Sequence, residues 1–347
     1  MKNSTTTRRG FVAGLGLAGI AGTALAGCSS PDMDKAKSGG KGGSSITLYT
    51  SEPEDKINEI ISAFNEDEPD IEVKLYRAGT GEIDAKIASE SGAGGVHADV
   101  LLAADRPTYE RYKSQKLLAK LDFDGADDLL DGFVDPDGYY VGTRVIPTVI
   151  AKNTSSDLPD PKGWQDLTES DYSGKIALPS PDVSGAAAYN AAVWLQQKSL
   201  GEKWLRALIK NKPTVLESNG PVSQAVAEGS SPIGVVVDYL IRDLKAKGSP
   251  IDAIYPEEGM PFVDEPAAVF EDSKNKDAAQ KFVSFLVSQK AQELASKQNY
   301  IPVRKGVATP KGSPDLEDLK LFEADPAEIA KKQPAAVKLF DKLVDGN

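Results

Sequence analysis

One cysteine, Cys28, and one histidine, His97, are all that 347 residues offer to thiolate or imidazole chemistry. A lone cysteine excludes an internal disulfide and a thiolate metal site. A zinc centre or a histidine-based triad would need partners that this chain does not hold. His97, just ahead of an apolar strand, therefore reads as a structural or surface residue. Basic clusters are also missing: 40 Lys and Arg stand against 52 Asp and Glu, for a net charge of −12. That balance argues against a nucleic-acid partner. No internal repeat and no heptad pattern occurs. The longest apolar run, residues 11–26, has sixteen residues, short of the roughly 20 that span a bilayer.

What precedes and ends that run is informative. Thr7-Arg8-Arg9-Gly10-Phe11-Val12 puts two arginines before it, and Leu25-Ala26-Gly27-Cys28 closes it. This is the pattern of a twin-arginine export signal, with the run as its hydrophobic region. The closing box resembles the cleavage site of a bacterial lipoprotein. Residues 1–27 are then the signal peptide, and Cys28 is the lipidated first residue of the mature chain. Two acyl chains hold a protein to a membrane where one binds only marginally. Residues 28–45 are rich in Gly and Ser and form a flexible tether, with an extended reach of at most about 60 Å. Cleavage removes Lys2, Arg8 and Arg9 and no acid, so the charge moves from −12 to −15. About 300 residues remain, enough for two lobes of ordinary size.

Beyond the tether, strand and helix alternate. Ile46-Thr47-Leu48-Tyr49 is a short strand, and the next segment carries Ile57, Ile60, Ile61 and Phe64 at helical spacing. Ile71-Glu72-Val73-Lys74-Leu75 alternates as a strand does, Gly79-Thr80-Gly81-Glu82 opens a helix, and residues 98–103 form a buried strand. The pattern predicts an α/β fold with parallel sheets and helices on both faces. Residues 140–150 are β-rich with no helix, long enough to carry the chain from one lobe to another. Alternation then resumes through strands at 175–178, 214–216 and 233–237, and a strand at 266–270 returns before a helical C-terminus. The expected division is 46–145 plus 265–347 for one lobe and 146–264 for the other.

Four turns share one design, in which a strand ends, a small or hydroxylated residue follows, and a helix begins. They contain Thr50, Ser51 and Glu52; Gly79, Thr80 and Gly81; Ser184 and Gly185; and Asn219. Helix starts of this kind offer free N–H groups and a favourable dipole to an anion. In doubly wound sheets they lie at the edge where ligands bind. Ser, Thr and Asn before a helix are also ordinary caps, so both readings stand for each position. Gly79-Thr80-Gly81-Glu82 is no P-loop, because the Lys-Ser/Thr pair is missing. Asp238-Tyr239, at the end of a buried apolar strand, is either a cleft pair or a capped turn. Carboxylate pairs arise by chance among 52 acids and do not by themselves indicate acid–base chemistry.

Taken together, several segments resemble the extracellular solute-binding proteins of ABC importers, in the branch that binds ferric iron, sugar phosphates and phosphonates. They are Ile46-Thr47-Leu48-Tyr49-Thr50, Ala98-Asp99-Val100-Leu101 with Asp105, Ile233-Gly234-Val235-Val236-Val237, Pro256-Glu257-Glu258-Gly259 with Pro261, and Asn299-Tyr300-Ile301-Pro302-Val303-Arg304. The resemblance implies two doubly wound α/β lobes joined by crossover strands, the type II periplasmic binding protein fold, closing by hinge bending over a solute. It implies a lipid-anchored monomer on the outer face of the cytoplasmic membrane, served by a permease and its ATPase, with no cofactor and no catalysis. An organic phosphate or phosphonate would be held by Thr50, Ser51, Gly79, Thr80, Gly81, Ser184, Gly185 and Asn219, with Asp105 and Asp238 nearby. Iron-binding members use adjacent tyrosines in the second lobe. Here Asp238-Tyr239 replaces them, so the iron alternative would rest on Tyr239, Asp238 and Glu52. Tyr139-Tyr140 falls before the crossover. A secreted hydrolase is the remote alternative, and a sensor of occupancy would need the same closing lobes.

Overall fold

A computed structural model describes residues 44–123 and 125–346. The signal peptide, Cys28 and the tether up to residue 43 lie outside the described residues. The first sheet grows from β1 (Ser44–Thr50), α1 (Glu54–Asp67), β2 (Ile71–Arg77), α2 (Thr80–Gly92), β3 (Val100–Leu102) and α3 (Arg106–Ser114). β1 thus begins two residues inside the stretch read as tether, with Ser44 opposite Ile71 and Ser45 opposite Glu72. After the short β4 (Val141–Gly142), the chain enters a second sheet through β5 (Arg144–Asn153). There follow β6 (Ile176–Pro179), α4 (Gly185–Gln196), α5 (Gly201–Lys210), β7 (Thr214–Leu216), α6 (Asn219–Glu228), β8 (Ile233–Val237), α7 (Asp238–Ala246), β9 (Ile251–Ile254) and β10 (Phe262–Val263). β11 (Pro266–Val269) returns to the first sheet, and α8 (Lys276–Leu286), α9 (Gln289–Lys297), β12 (Ile301–Pro302) and α10 (Pro326–Asp345) complete the chain.

Strand order in the first sheet is β2-β1-β3-β11-β4, with β1 parallel to β2 and β3 and the returning β11 antiparallel to β3. In the second it is β10-β5-β8-β6-β7, and β9 and β12 also pair with β5. Helices cover the sheets by burying the apolar stripes read from the sequence. Ile57, Ile60 and Phe64 of α1 are buried, and Phe64 meets Phe282 and Phe285 of α8 edge-on at 5.0 and 5.5 Å. In the second lobe the core holds all three tryptophans of the chain, Trp164, Trp194 and Trp204, with ring centroids 5.3–6.5 Å apart. The Glu258-Gly259 motif anchors this cluster. Glu258 accepts from the Trp164 and Gln165 backbone N–H groups, and Gly259 O accepts from Trp164 Nε1 at 2.7 Å. Gly259 has φ +108, and a Cβ there would sit 2.9 Å from Lys320 O, so the turn requires glycine.

The chain leaves the first sheet at Thr143 and returns to it at Asp264-Glu265, and these two passages are bonded to each other. Thr143 and Arg144 N–H both donate to Asp264 O, and Thr143 Oγ1 donates to Glu265 O at 2.7 Å. Glu265 sits at φ +40, a strained backbone of the kind that clusters at functional sites. Residues 265–347 are expected with the first lobe, yet α10 rests on both α4 and α3, and its Ile329, Ala336 and Phe340 join the second-lobe core. Among the described residues, no helix is long and apolar enough to cross a membrane.

Candidate functional site

The carboxyl ends of β1, β2, β6, β7 and β8 all border one cavity of about 420 Å³. Of the twelve residues singled out from sequence, Ser51, Glu52, Gly79, Thr80, Ser184, Gly185, Asn219 and Tyr239 line it. Each arrives at a strand-to-helix turn, so the main chain itself aims the first turns of α2, α4 and α6 at the space. The two lobes touch there. Gly81 N–H points at Val183 O at 3.5 Å, and Thr80 lies directly against Gly185.

Hydrogen-bond capacity shows what the Ser184 hydroxyl can do. Its oxygen accepts from Ala187 N–H at 3.2 Å and from Asn219 Nδ2 at 2.9 Å. Both lone pairs are then in use, which leaves the hydroxyl proton to donate outward. Asn219 Oδ1 in turn accepts from Val237 N–H at 3.3 Å, tying the starts of α4 and α6 to the end of β8. Asn219 is therefore mainly a brace for Ser184. Arg77, at the end of β2, also lines the cavity, with its Nε donating to Glu52 O at 3.1 Å. Donors of four kinds thus converge: hydroxyls, a guanidinium, a side-chain amide and helix-start N–H groups.

The remaining four sequence candidates lie off the cavity. Thr50 is fully buried, and its Oγ1 accepts from Glu52 N–H to close the turn. Gly81 serves lobe contact, since a Cβ there would lie 2.1 Å from Asp182 O. Asp105 caps α3 through Thr108 N–H at 2.9 Å and is held by Gln333 of α10 at 3.2 Å. Asp238 is fully buried and its Oδ2 pairs with Arg242 at 2.6 Å. Burial raises its carboxyl to about 6 despite that partner. The set named for iron is accordingly split: Tyr239 and Glu52 border the cavity and Asp238 does not. Among the described residues no group of three or more His, Cys, Asp or Glu is placed to hold a metal ion.

At the cavity wall lies a cluster that the sequence does not announce. Glu52 and Glu265 both border the space, and Arg144 joins them with NH1 2.9 Å from Glu52 and Nε 3.3 Å from Glu265. Tyr300 Oη donates to Glu52 at 3.2 Å, and its ring lies under the Arg144 guanidinium at 4.6 Å. Tyr239 packs against Tyr300 with centroids 4.5 Å apart and the rings tilted by 52°. Burial raises the hydroxyls of both tyrosines well above their usual range. These partners are separated by up to 248 positions, so no local motif could have joined them. The available signal was the Asn299-Tyr300-Ile301-Pro302 segment, which becomes β12 and lays Tyr300 beside β5.

Two α/β lobes, two bonded crossovers and a cavity between the lobes, into which hydroxyls, an arginine and helix starts project from a partly apolar lining, define a cleft-type binding protein. The family model for bacterial extracellular solute-binding protein matches residues 59–327, and the chain belongs to that family. Its fold is the type II periplasmic binding protein fold, and it is a solute-binding protein of the kind that serves ABC importers. The curated relative Iron uptake protein A1 of Synechocystis is 24% identical over 84% of this chain and 83% of its own. Iron-bound HitA from Pseudomonas aeruginosa superposes with a TM-score of 0.77 at 24% identity, over 86% of this chain and 99% of that one. AfuA from Actinobacillus pleuropneumoniae, with fructose-6-phosphate bound, gives 0.78 at 22% identity, over 87% and 98%. The family's proteins capture small solutes outside the cytoplasmic membrane and are not enzymes.

Proposed function

We propose that this protein captures a small organic phosphate or phosphonate and delivers it to an ABC permease and its ATPase. It would do so as a monomer held to the outer face of the membrane through lipidated Cys28, after export by the twin-arginine route. The observation that carries the reading is the convergence of three helix starts, the outward-donating Ser184 hydroxyl and Arg77 on one cavity. Helix N-termini and guanidinium groups favour anionic oxygens. Residues 46–145 with 265–347, and residues 146–264, are the proposed lobes, with α10 resting on both. The phosphate-bearing group sits among Ser51, Thr80, Ser184, Gly185 and Arg77.

A thermal-shift panel of inorganic phosphate, hexose 6-phosphates, small phosphonates and phosphate monoesters tests this reading, since a ligand bound only by the folded state raises the melting temperature. A panel member that raises it, with the shift lost in Ser184→Ala, supports the proposal. No shift with any member refutes it. Ferric iron is the second reading, supported by Tyr239 and Glu52 at one cavity and by relatives named for iron. Arg144 beside Glu52 counts against it, because a fixed guanidinium competes with a trivalent cation for the same oxygens. A visible tyrosinate–iron band on ferric loading, with no response to phosphates, would favour iron. Turnover of a phosphate ester would overturn both.

A further inference from the structure

Besides the contact of Thr80 with Gly185, the lobes meet at a lysine that the capture of solute leaves unexplained. Lys56 belongs to α1, whose Ile57 and Ile60 pack on the first sheet, and it is 8% exposed. It is fixed there by two bonds with Gln298 at the end of α9. Its Nζ donates to Gln298 O at 2.6 Å, and Gln298 Nε2 donates to Lys56 O at 3.0 Å. The ammonium then reaches across to α7, which packs on the second sheet through Ile241. It pairs with Asp243 Oδ2 at 2.9 Å and lies 5.3 Å from the ring centre of Tyr239. Tyr239 and Asp243 stand at i and i+4, so one face of α7 presents both to Lys56. Tyr239 is also the one aromatic residue of the cavity lining. The other Asp243 oxygen is aimed by Asn299, whose Nδ2 donates to Oδ1 at 2.6 Å and whose carbonyl accepts from Arg242 at 2.7 Å. Asn299 sits at φ +70, a left-handed backbone held by these bonds. Ion pairs and cation–ring contacts gain strength where water is excluded.

We propose that Lys56 is an interlobe clasp, whose ammonium holds the lobes shut by gripping Asp243 and the Tyr239 ring together. Closure brings α7 against α1, seats the ammonium and fixes Tyr239 as a wall of the cavity. Opening carries α7 away, breaks both contacts and returns the ammonium to water, while its bonds with Gln298 travel with the first lobe. The clasp therefore couples the position of a cavity residue to the closed state without itself lining the cavity. It concerns closure alone and holds whether the solute is an organic phosphate or ferric iron.

Hydrogen exchange of the full-length protein, followed by mass spectrometry without added solute, tests the clasp at a contact made by other elements. The starts of α2 and α4 face each other across the cleft, with Gly81 N–H pointing at Val183 O at 3.5 Å, and closure shields their amides. Lys56→Met keeps a long apolar stem and removes the charge. Exchange at residues 80–83 and 185–188 should quicken by about tenfold or more, as loss of a charge-assisted bond implies. The strands β1 and β8 inside the lobes should keep wild-type protection. Lys56→Arg, which still offers Asp243 a cation, should restore most of the shielding. Asp243→Asn should act as Lys56→Met does, and the double variant should exceed neither. Unchanged exchange at both helix starts overturns the clasp. So does quickening that extends equally to β1 and β8, which would mark Lys56 as a support of the fold, or full additivity in the double variant. If Lys56→Met does not fold, Asp243→Asn decides by the same comparison. None of these outcomes bears on which solute is bound.

Discussion

Gly185 is where closure of the lobes can be tested without disturbing either lobe's own fold. It opens α4 behind the Ser184 cap, and a Cβ at this position would lie 2.8 Å from Thr80 Oγ1 and 2.9 Å from Thr80 Cβ. Rotating the threonine moves Oγ1 but not Cβ, which is fixed to the α2 backbone, so the lobes must part to admit the methyl. Gly185 has no left-handed φ, and alanine is the better helix former by up to about 1 kcal/mol. Gly185→Ala should therefore leave the unliganded melting temperature unchanged or slightly raised. Overpacking of this kind costs about 1–3 kcal/mol. Charged to the closed state alone, that raises the dissociation constant by about 5- to 150-fold. The assay is titration calorimetry with whichever phosphate ester shifts the wild type. Adding Thr80→Gly removes the opposing Cβ and should recover affinity, after allowance for the loss in Thr80→Gly alone. Wild-type affinity in Gly185→Ala, or no recovery in the double variant, would refute the argument that these residues meet when solute is held.

Thr80→Val and Ser184→Ala each remove one hydroxyl facing the cavity and should weaken binding of the same ester by about tenfold; unchanged titrations would take them out of the site. Arg144→Met leaves Glu52 and Glu265 buried without a counter-charge, so denaturant unfolding at pH 7 should show a loss of about 3–5 kcal/mol. Wild-type stability in the variant would contradict it. For Asp238 the folded carboxyl titrates near 6 against an ordinary 3.8, so between those values the folded state holds a proton that the unfolded chain has released. Its contribution to stability is full below 3.8 and fades as pH rises through 6, a change of about 3 kcal/mol. Asp238→Asn should flatten the stability curve across that window, and identical slopes in variant and wild type would exclude it.

Much of the fold was legible because its signals are local. The spacing of Ile57, Ile60 and Phe64 marks α1, the Ser184-Gly185 cap marks α4, and the apolar run 233–237 marks β8. Turns such as Gly79-Thr80-Gly81 and Asn219-Gly220 could be named for the same reason, since a cap or a close approach is decided within a few residues. Whether a turn faces solute was not local. Ser51, Thr80, Ser184 and Tyr239 border the cavity, while Thr50, Asp105 and Asp238 turn into their own lobes. Arg242, one helical turn after Asp238, draws that carboxylate inward, and Gln333 of the C-terminal helix holds Asp105. The grouping of Glu52, Arg144, Glu265 and Tyr300 belongs wholly to the tertiary structure. It arises where two crossovers and β12 meet, and charge and hydrogen bonding act through space between residues that the chain keeps far apart.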